Sequence, residues 1–255
     1  MQIGSTSSGA TPTVHSLPFR AADFCSLAEA LDYAALGETG ANFYSSRGFV
    51  SGLSYRRLRA DALSLARKLL GLGLCPGDRV ALIAETDPYF IKVFFACQYA
   101  GLIPVPLPAS MKMGAHATFV TQLKNMLRTC DAHIAVASEG YKSYLREASA
   151  GLALAIICSP EELADLPEDP SLELPSSAPE DIAYIQFTSG STRFPKGVVV
   201  TQRGAMSNLV GIVQHGVRMV PGDRCMSWLP FYHDMGLVGF MLVPVASQIS
   251  VDYLP

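Results

Sequence analysis

Between residues 79 and 158 the chain alternates short apolar runs with helix-like segments, and this alternation restricts the fold more than any other feature. The turn Pro76-Gly77-Asp78 leads into an apolar run over residues 79–84. Asp87-Pro88 then supplies a helix cap followed by proline at the first helical position, and the helix runs through residue 99 to a stop at Gly101. Ile103-Pro104-Val105-Pro106 continues as extended chain, and its two prolines belong at a strand end or a sheet edge. Helices over residues 116–129 and 140–148 each lead into a further apolar run, at 134–137 and 154–158. Strands separated by helices pair in parallel and carry helices on their faces. The expected fold class is therefore α/β, with mainly parallel sheets flanked by helices.

Elsewhere the pattern is shorter. A helix is expected over 23–36 and a strand over 43–50. Ser54 caps a helix whose apolar residues Leu58, Ala62, Leu65, Leu69 and Leu72 recur at three- and four-residue spacing, with Gly71 and Gly73 as stop signals. From 160 to 181 there are five prolines and eight acidic residues without a basic one, which reads as a surface linker, or less simply as an acidic docking segment. Strands at 182–187 and 198–201, a helix at 203–215, a strand at 224–228, an apolar helix at 237–246 and a strand beginning near 249 complete the chain. The expected organisation is a flexible lead-in (1–18), a first α/β subdomain (19–159), the acidic linker (160–181) and the start of a second α/β subdomain (182–255).

Composition excludes several partners. A net charge of −3 gives no general attraction to nucleic acid or anionic lipid, so any anion site must be local. Residues 1–18 have no basic segment followed by an apolar run, so neither a secretory signal nor a membrane span is expected. The six cysteines include no Cys-x-x-Cys pair and mostly sit in apolar runs, which points to buried thiols in a reducing cytoplasm.

One local anion site does stand out. Residues 184–200 join two β-type runs through a loop that gathers Thr188, Ser189, Gly190, Ser191, Thr192, Arg193, Lys196 and Gly197. The glycines allow close backbone approach, the hydroxyls and turn amides can donate to anionic oxygens, and the two cations can neutralise them. This suits a polyphosphate. The loop is not a Walker A sequence, because the Gly-Lys-Ser/Thr ending is missing and Pro195 occupies the glycine slot. Turn chemistry alone could select a Ser/Thr-rich hairpin of this kind, and the length of the pattern argues against so plain a reading.

The loop resembles the phosphate-binding motif Thr-Ser-Gly-Ser/Thr-Thr-Gly-x-Pro-Lys-Gly of the adenylate-forming superfamily, which includes acyl-CoA synthetases, luciferases, peptide-synthetase adenylation domains and fatty acyl-AMP ligases. Arg193 stands where most members have glycine, a departure similar to the fatty acyl-AMP ligase branch. Leu53-Ser54-Tyr55-Arg56-Arg57-Leu58 and Ala100-Gly101-Leu102-Ile103-Pro104-Val105-Pro106-Leu107 also resemble family segments, and capping and turn chemistry explain both. Leu229-Pro230-Phe231-Tyr232-His233-Asp234-Met235-Gly236-Leu237 resembles the segment whose histidine lies near the acyl carboxylate and phosphate.

The resemblance implies an incomplete amino-terminal domain of the adenylate-forming fold. It implies a chain that activates a fatty acid with ATP and Mg²⁺ to acyl-adenylate and pyrophosphate, for transfer to the phosphopantetheine arm of an acyl carrier protein. In that reading residues 188–197 hold the β- and γ-phosphates, Thr192 contributes toward Mg²⁺, His233 serves catalysis and Asp234 caps a helix. The family's later adenine, ribose and catalytic-lysine motifs have no counterpart in these 255 residues, so a carboxy-terminal part is expected to be missing and the chain alone to be inactive. Alternatives are part of an acyl-CoA or aryl-acid ligase, and a non-catalytic docking domain of the same fold.

Overall fold

The computed structural model describes residues 17–109, 116–188 and 195–255. The first sheet is built by the alternation noted above. Strands β3 (Arg79–Ile83), β4 (Ile103–Leu107), β5 (Ile134–Val136) and β6 (Ile156–Cys158) pair in parallel in the order β4-β3-β5-β6. Helices α3 (Pro88–Ala100), α4 (His116–Cys130) and α5 (Glu139–Ala148) connect them. Asp87 caps α3 by accepting from Phe90 N–H at 2.8 Å.

Strand β4 lies at the edge, as its prolines require. Ile103 N–H donates to Asp78 O and Leu107 O accepts from Ala84 N–H, so the odd-numbered peptide groups face β3. The nitrogens of Pro104 and Pro106 fall on the opposite side, where they can donate to no neighbour.

A second sheet has the order β2-β1-β10-β9. Here β1 (Gly40–Ser45) and β2 (Gly48–Ser54) are antiparallel, whereas β1 with β10 (Ser250–Tyr253) and β10 with β9 (Arg224–Ser227) are parallel. The single strand expected over 43–50 is thus a hairpin. Its turn, Ser45-Ser46-Arg47-Gly48, lies between Tyr44 and Phe49, and Gly48 takes the positive φ of 113° that reverses the chain. Strands from both sides of residues 160–181 share this sheet, so that span does not separate one sheet from the other.

The acidic span begins with helix α6 (Pro160–Asp165), closed by a capping box between Ser159 and Glu162. It is fastened to the preceding helices. Glu168 accepts from Ser64 and pairs with Arg67 of α2 (Tyr55–Gly71), and Glu162 and Glu139 both bond Lys142, whose side chain is only 4 % exposed.

The third sheet is a hairpin of β7 (Ile182–Phe187) and β8 (Gly197–Thr201), followed by α7 (Gln202–Val210). Two of the expected helices change winding. Helix α7 runs on into a π-helical turn, Gly211–Gly216, and the apolar segment before β10 is π-helical over Met235–Leu242 before α8 (Val243–Ala246). Among the described residues no helix is long and apolar enough to cross a membrane.

Beneath these elements a buried amide relay ties three helices to the hairpin. Gln98 Nε2 donates to Ala183 O at 2.8 Å, Gln202 Nε2 to Gln98 Oε1 at 2.8 Å, and Leu27 N–H of α1 (Leu27–Ala34) to Gln202 Oε1 at 3.0 Å.

Candidate functional site

The β7–β8 hairpin delivers one side of the site. Thr188 follows β7, its N–H donates to Lys196 O at 3.0 Å, and the strands pair from Phe187 opposite Gly197 inward. A Cβ at Gly197 would lie 3.0 Å from Ile185 Cγ2, a tight contact that the Ile185 side chain would have to ease by a few tenths of an ångström. Of the expected phosphate-loop residues, Thr188, Lys196 and Gly197 are described. Ser189, Gly190, Ser191, Thr192 and Arg193 lie outside the described residues.

The loop from Leu229 to Asp234 delivers the other side, and its position is fixed from below. Phe231 is fully buried, stacks on Phe90 at 5.3 Å between ring centroids and meets Tyr253 edge-on at 4.9 Å. The loop closes on itself where His233 N–H donates to Pro230 O at 3.1 Å. Gly236 completes the closure: a Cβ there would sit 2.2 Å from Pro230 O, a contact only glycine avoids. Leu237 N–H then donates to His233 O at 2.8 Å and starts the π-helical stretch.

His233 and Asp234 form a pair. The imidazole Nδ1 lies 3.0 Å from Asp234 Oδ1, which also accepts from Met235 N–H at 2.7 Å. These two bonds, that of His233 first, hold the Asp234 carboxyl below its usual range. An ionised carboxylate only accepts, so Nδ1 carries the proton in this pair and Nε2 lies outside it. Asp234 therefore both caps the following helix and orients the ring. Burial, with the Asp234 charge adding, pushes the nearby Tyr184 phenol up to about 12.

A cleft of about 850 Å³ opens between these two sides. Thr188, Pro195 and Gln186 line it from the hairpin, and Tyr232, His233 and Asp234 from the loop, so Thr188 and His233 share one cavity. Lys196, next to Pro195, is exposed and is not part of the lining. The Gln186 amide links the two sides by donating to Tyr232 O at 3.5 Å.

The third wall, from α4, is absent from the expected site. Thr118, Thr121, Gln122 and Asn125 face the cleft as two four-residue steps on one side of the helix. Small polar residues at that spacing are a weak signal, because a solvated helix face looks the same. Pro106, Phe187, Val198 and Val200 make the remaining lining apolar. Among the described residues no group of three His, Cys, Asp or Glu side chains could hold a metal ion.

Comparison with known proteins places the chain among related sequences and structures. Residues 34–255 match the family model described as AMP-binding enzyme. A putative acyl-CoA synthetase of Caulobacter vibrioides is 48 % identical over 96 % of this chain and 42 % of its own length. A long-chain-fatty-acid–AMP ligase of Mycolicibacterium smegmatis is 34 % identical over 71 % of this chain and 28 % of its own. A solved structure from a study of fatty acyl-adenylate ligases of E. coli and L. pneumophila superposes with a TM-score of 0.89 at 48 % identity, covering 93 % of this chain and 43 % of the other. The chain thus spans about two fifths of the 48 % identical relatives it matches.

Proposed function

The chain belongs to the AMP-binding enzyme family, and on that premise we propose that it is the amino-terminal part of a fatty acyl-AMP ligase. The observation that carries this reading is the single cleft lined by both Thr188 and His233. In the reaction a fatty-acid carboxylate attacks the α-phosphorus of ATP, an acyl–phosphate bond forms, and the bond to pyrophosphate breaks. Negative charge gathers on the departing oxygens, so fixed donors and cations nearby lower the barrier.

The residues present suit that task. The Thr188 hydroxyl, Lys196, and Arg193 in the same loop would take the β- and γ-phosphates and then pyrophosphate. His233, aligned by Asp234, would stand at the junction of acyl group and phosphate. Mg²⁺, when bound, would offset charge on the phosphoryl oxygens, and by its position in the motif Thr192 would be the residue that contributes toward it. The apolar part of the lining, from Pro106, Phe187, Val198 and Val200, suits an acyl chain.

For the second half-reaction the proposed acceptor is the phosphopantetheine thiol of an acyl carrier protein. The 48 % identical acyl-CoA synthetase supports a second reading, in which coenzyme A supplies that thiol.

The test is fatty-acid-dependent ATP–pyrophosphate exchange by the full-length enzyme. Lys196→Ala and Arg193→Ala are each expected to lower exchange by about 30-fold, equivalent to about 2 kcal/mol for a lost charge-assisted hydrogen bond. Unchanged exchange in both variants would reduce the loop to an ordinary turn. Comparing carrier protein with coenzyme A as acceptor separates the two readings.

A further inference from the structure

The two walls that carry Thr188 and His233 belong to separate sheets. Thr188 follows β7 of the hairpin, which is a sheet of its own, and the His233 loop follows β9 in the second sheet. Among the described residues no ladder of backbone hydrogen bonds joins these two sheets, so neither sheet sets the separation of Thr188 from His233. The direct tie across the cleft, Gln186 to Tyr232, is 3.5 Å long and correspondingly weak.

Helix α3 touches both walls from behind. Phe90, Phe94 and Gln98 recur every four residues and so form one row on its surface. Phe90 stacks on Phe231 of the His233 loop at 5.3 Å between centroids. Gln98 donates to Ala183 O of β7 at 2.8 Å, and its amide is held in that sense because its oxygen accepts from Gln202 at 2.8 Å. Phe94 lies between them, with its ring 6.0 Å from that of Tyr184, a β7 residue close enough to Asp234 to feel its charge. All three residues are at most 5 % exposed, and among the described residues that line the cleft none comes from α3.

From Phe90 to Gln98 the row extends about 12 Å along the helix axis. Asp87 caps the end that carries Phe90, and Gly101 makes the left-handed turn, at a φ of 67°, after the end that carries Gln98. Both contacts are thus made from helical turns closed against fraying. A rod bonded to a different wall near each end holds those walls at a fixed distance.

We propose that Phe90, Phe94 and Gln98 are positioning residues for acyl-adenylate formation, one face of α3 setting how far Thr188 stands from His233. This rests on the reading of the cleft as an adenylation site. The reaction tolerates little error in placement, since a shift of about 1 Å can cost about 100-fold in rate.

In the full-length enzyme, Phe90→Leu removes the stack and Gln98→Met removes both amide bonds at nearly constant volume. Each is expected to lower kcat for fatty-acid-dependent pyrophosphate exchange by about 10-fold per folded molecule. Ile91→Val, in the same turn and as deeply buried but outside the row, controls for lost packing and is expected to leave that kcat unchanged. Amide hydrogen exchange gives a readout independent of turnover. Residues 229–237 are expected to lose protection in Phe90→Leu and residues 182–188 in Gln98→Met, while β5 amides keep theirs. Row variants whose kcat per folded molecule stays at the parent's value, or falls no further than in Ile91→Val, overturn the proposal. A parent enzyme without pyrophosphate exchange counts against the proposed activity alone. Hydrogen exchange then decides the role of α3, and unchanged protection of both segments overturns it.

Discussion

Asp87 shows how much one residue's surroundings decide. It caps α3 yet is largely desolvated, with Glu85 and Glu161 adding like charge, and burial first pushes its carboxyl up to about 6. In the unfolded chain it titrates near the ordinary value of about 4. The folded state therefore binds the proton more tightly, and this contribution to stability is full below about pH 4 and lost as pH rises through 6. Asn caps equally well without a charge. Asp87→Asn is expected to remove this downward slope between pH 4 and 6, as read from urea unfolding at a series of pH values. Gly236 is a second decisive residue: Gly236→Ala drives a methyl into Pro230 O, and a loss of about 1–3 kcal/mol in the same unfolding assay is expected. Variation among relatives at this position would carry the same cost unless the loop before it moved.

Among the elements, the amide relay makes the sharpest prediction. Gln98→Leu strands Ala183 O and Gln202→Leu strands Leu27 N–H, each buried, so each is expected to cost about 1–3 kcal/mol. The double variant is expected to lose less than the sum, because the two side chains share one bond. Equilibrium denaturation of the three variants checks this. Elements with punctuation at both ends were legible in the sequence: Asp87-Pro88 and Gly101 bracket α3, and Ser54 marks the start of α2. The β1–β2 turn carries its own signal, Ser45-Ser46-Arg47-Gly48, which the flanking β-type residues Tyr44 and Phe49 outweighed in the single strand expected there. The π-helical stretches were not legible: their apolar residues show no distinctive period and their winding is seen only in bonds such as Val217 N–H to Ile212 O. Of the candidate site, Thr188 and His233 could be read from their motifs, whereas the α4 wall comes from tertiary placement that no local pattern encodes.

At the scale of the whole molecule, the cleft has walls from α4, the hairpin and the His233 loop, and the chain covers about two fifths of its 48 % identical relatives. The isolated 255-residue chain is expected to show no fatty-acid-dependent pyrophosphate exchange above background while remaining folded by circular dichroism. Measurable exchange would mean that the groups needed for adenylation are all present here. The two large sheets meet their helices through extensive apolar packing, and the hairpin is held differently. It runs beside β4, yet among the described residues no backbone hydrogen bond crosses between β4 and β7, since Pro104 and Pro106 have no N–H to offer. That junction behaves as a shear plane: dispersion resists its separation but scarcely opposes sliding. Among the described residues, shifting Thr188 along it to suit a longer or shorter occupant of the cleft breaks the side-chain bonds Gln98 to Ala183 and Gln186 to Tyr232, and no rung of either sheet.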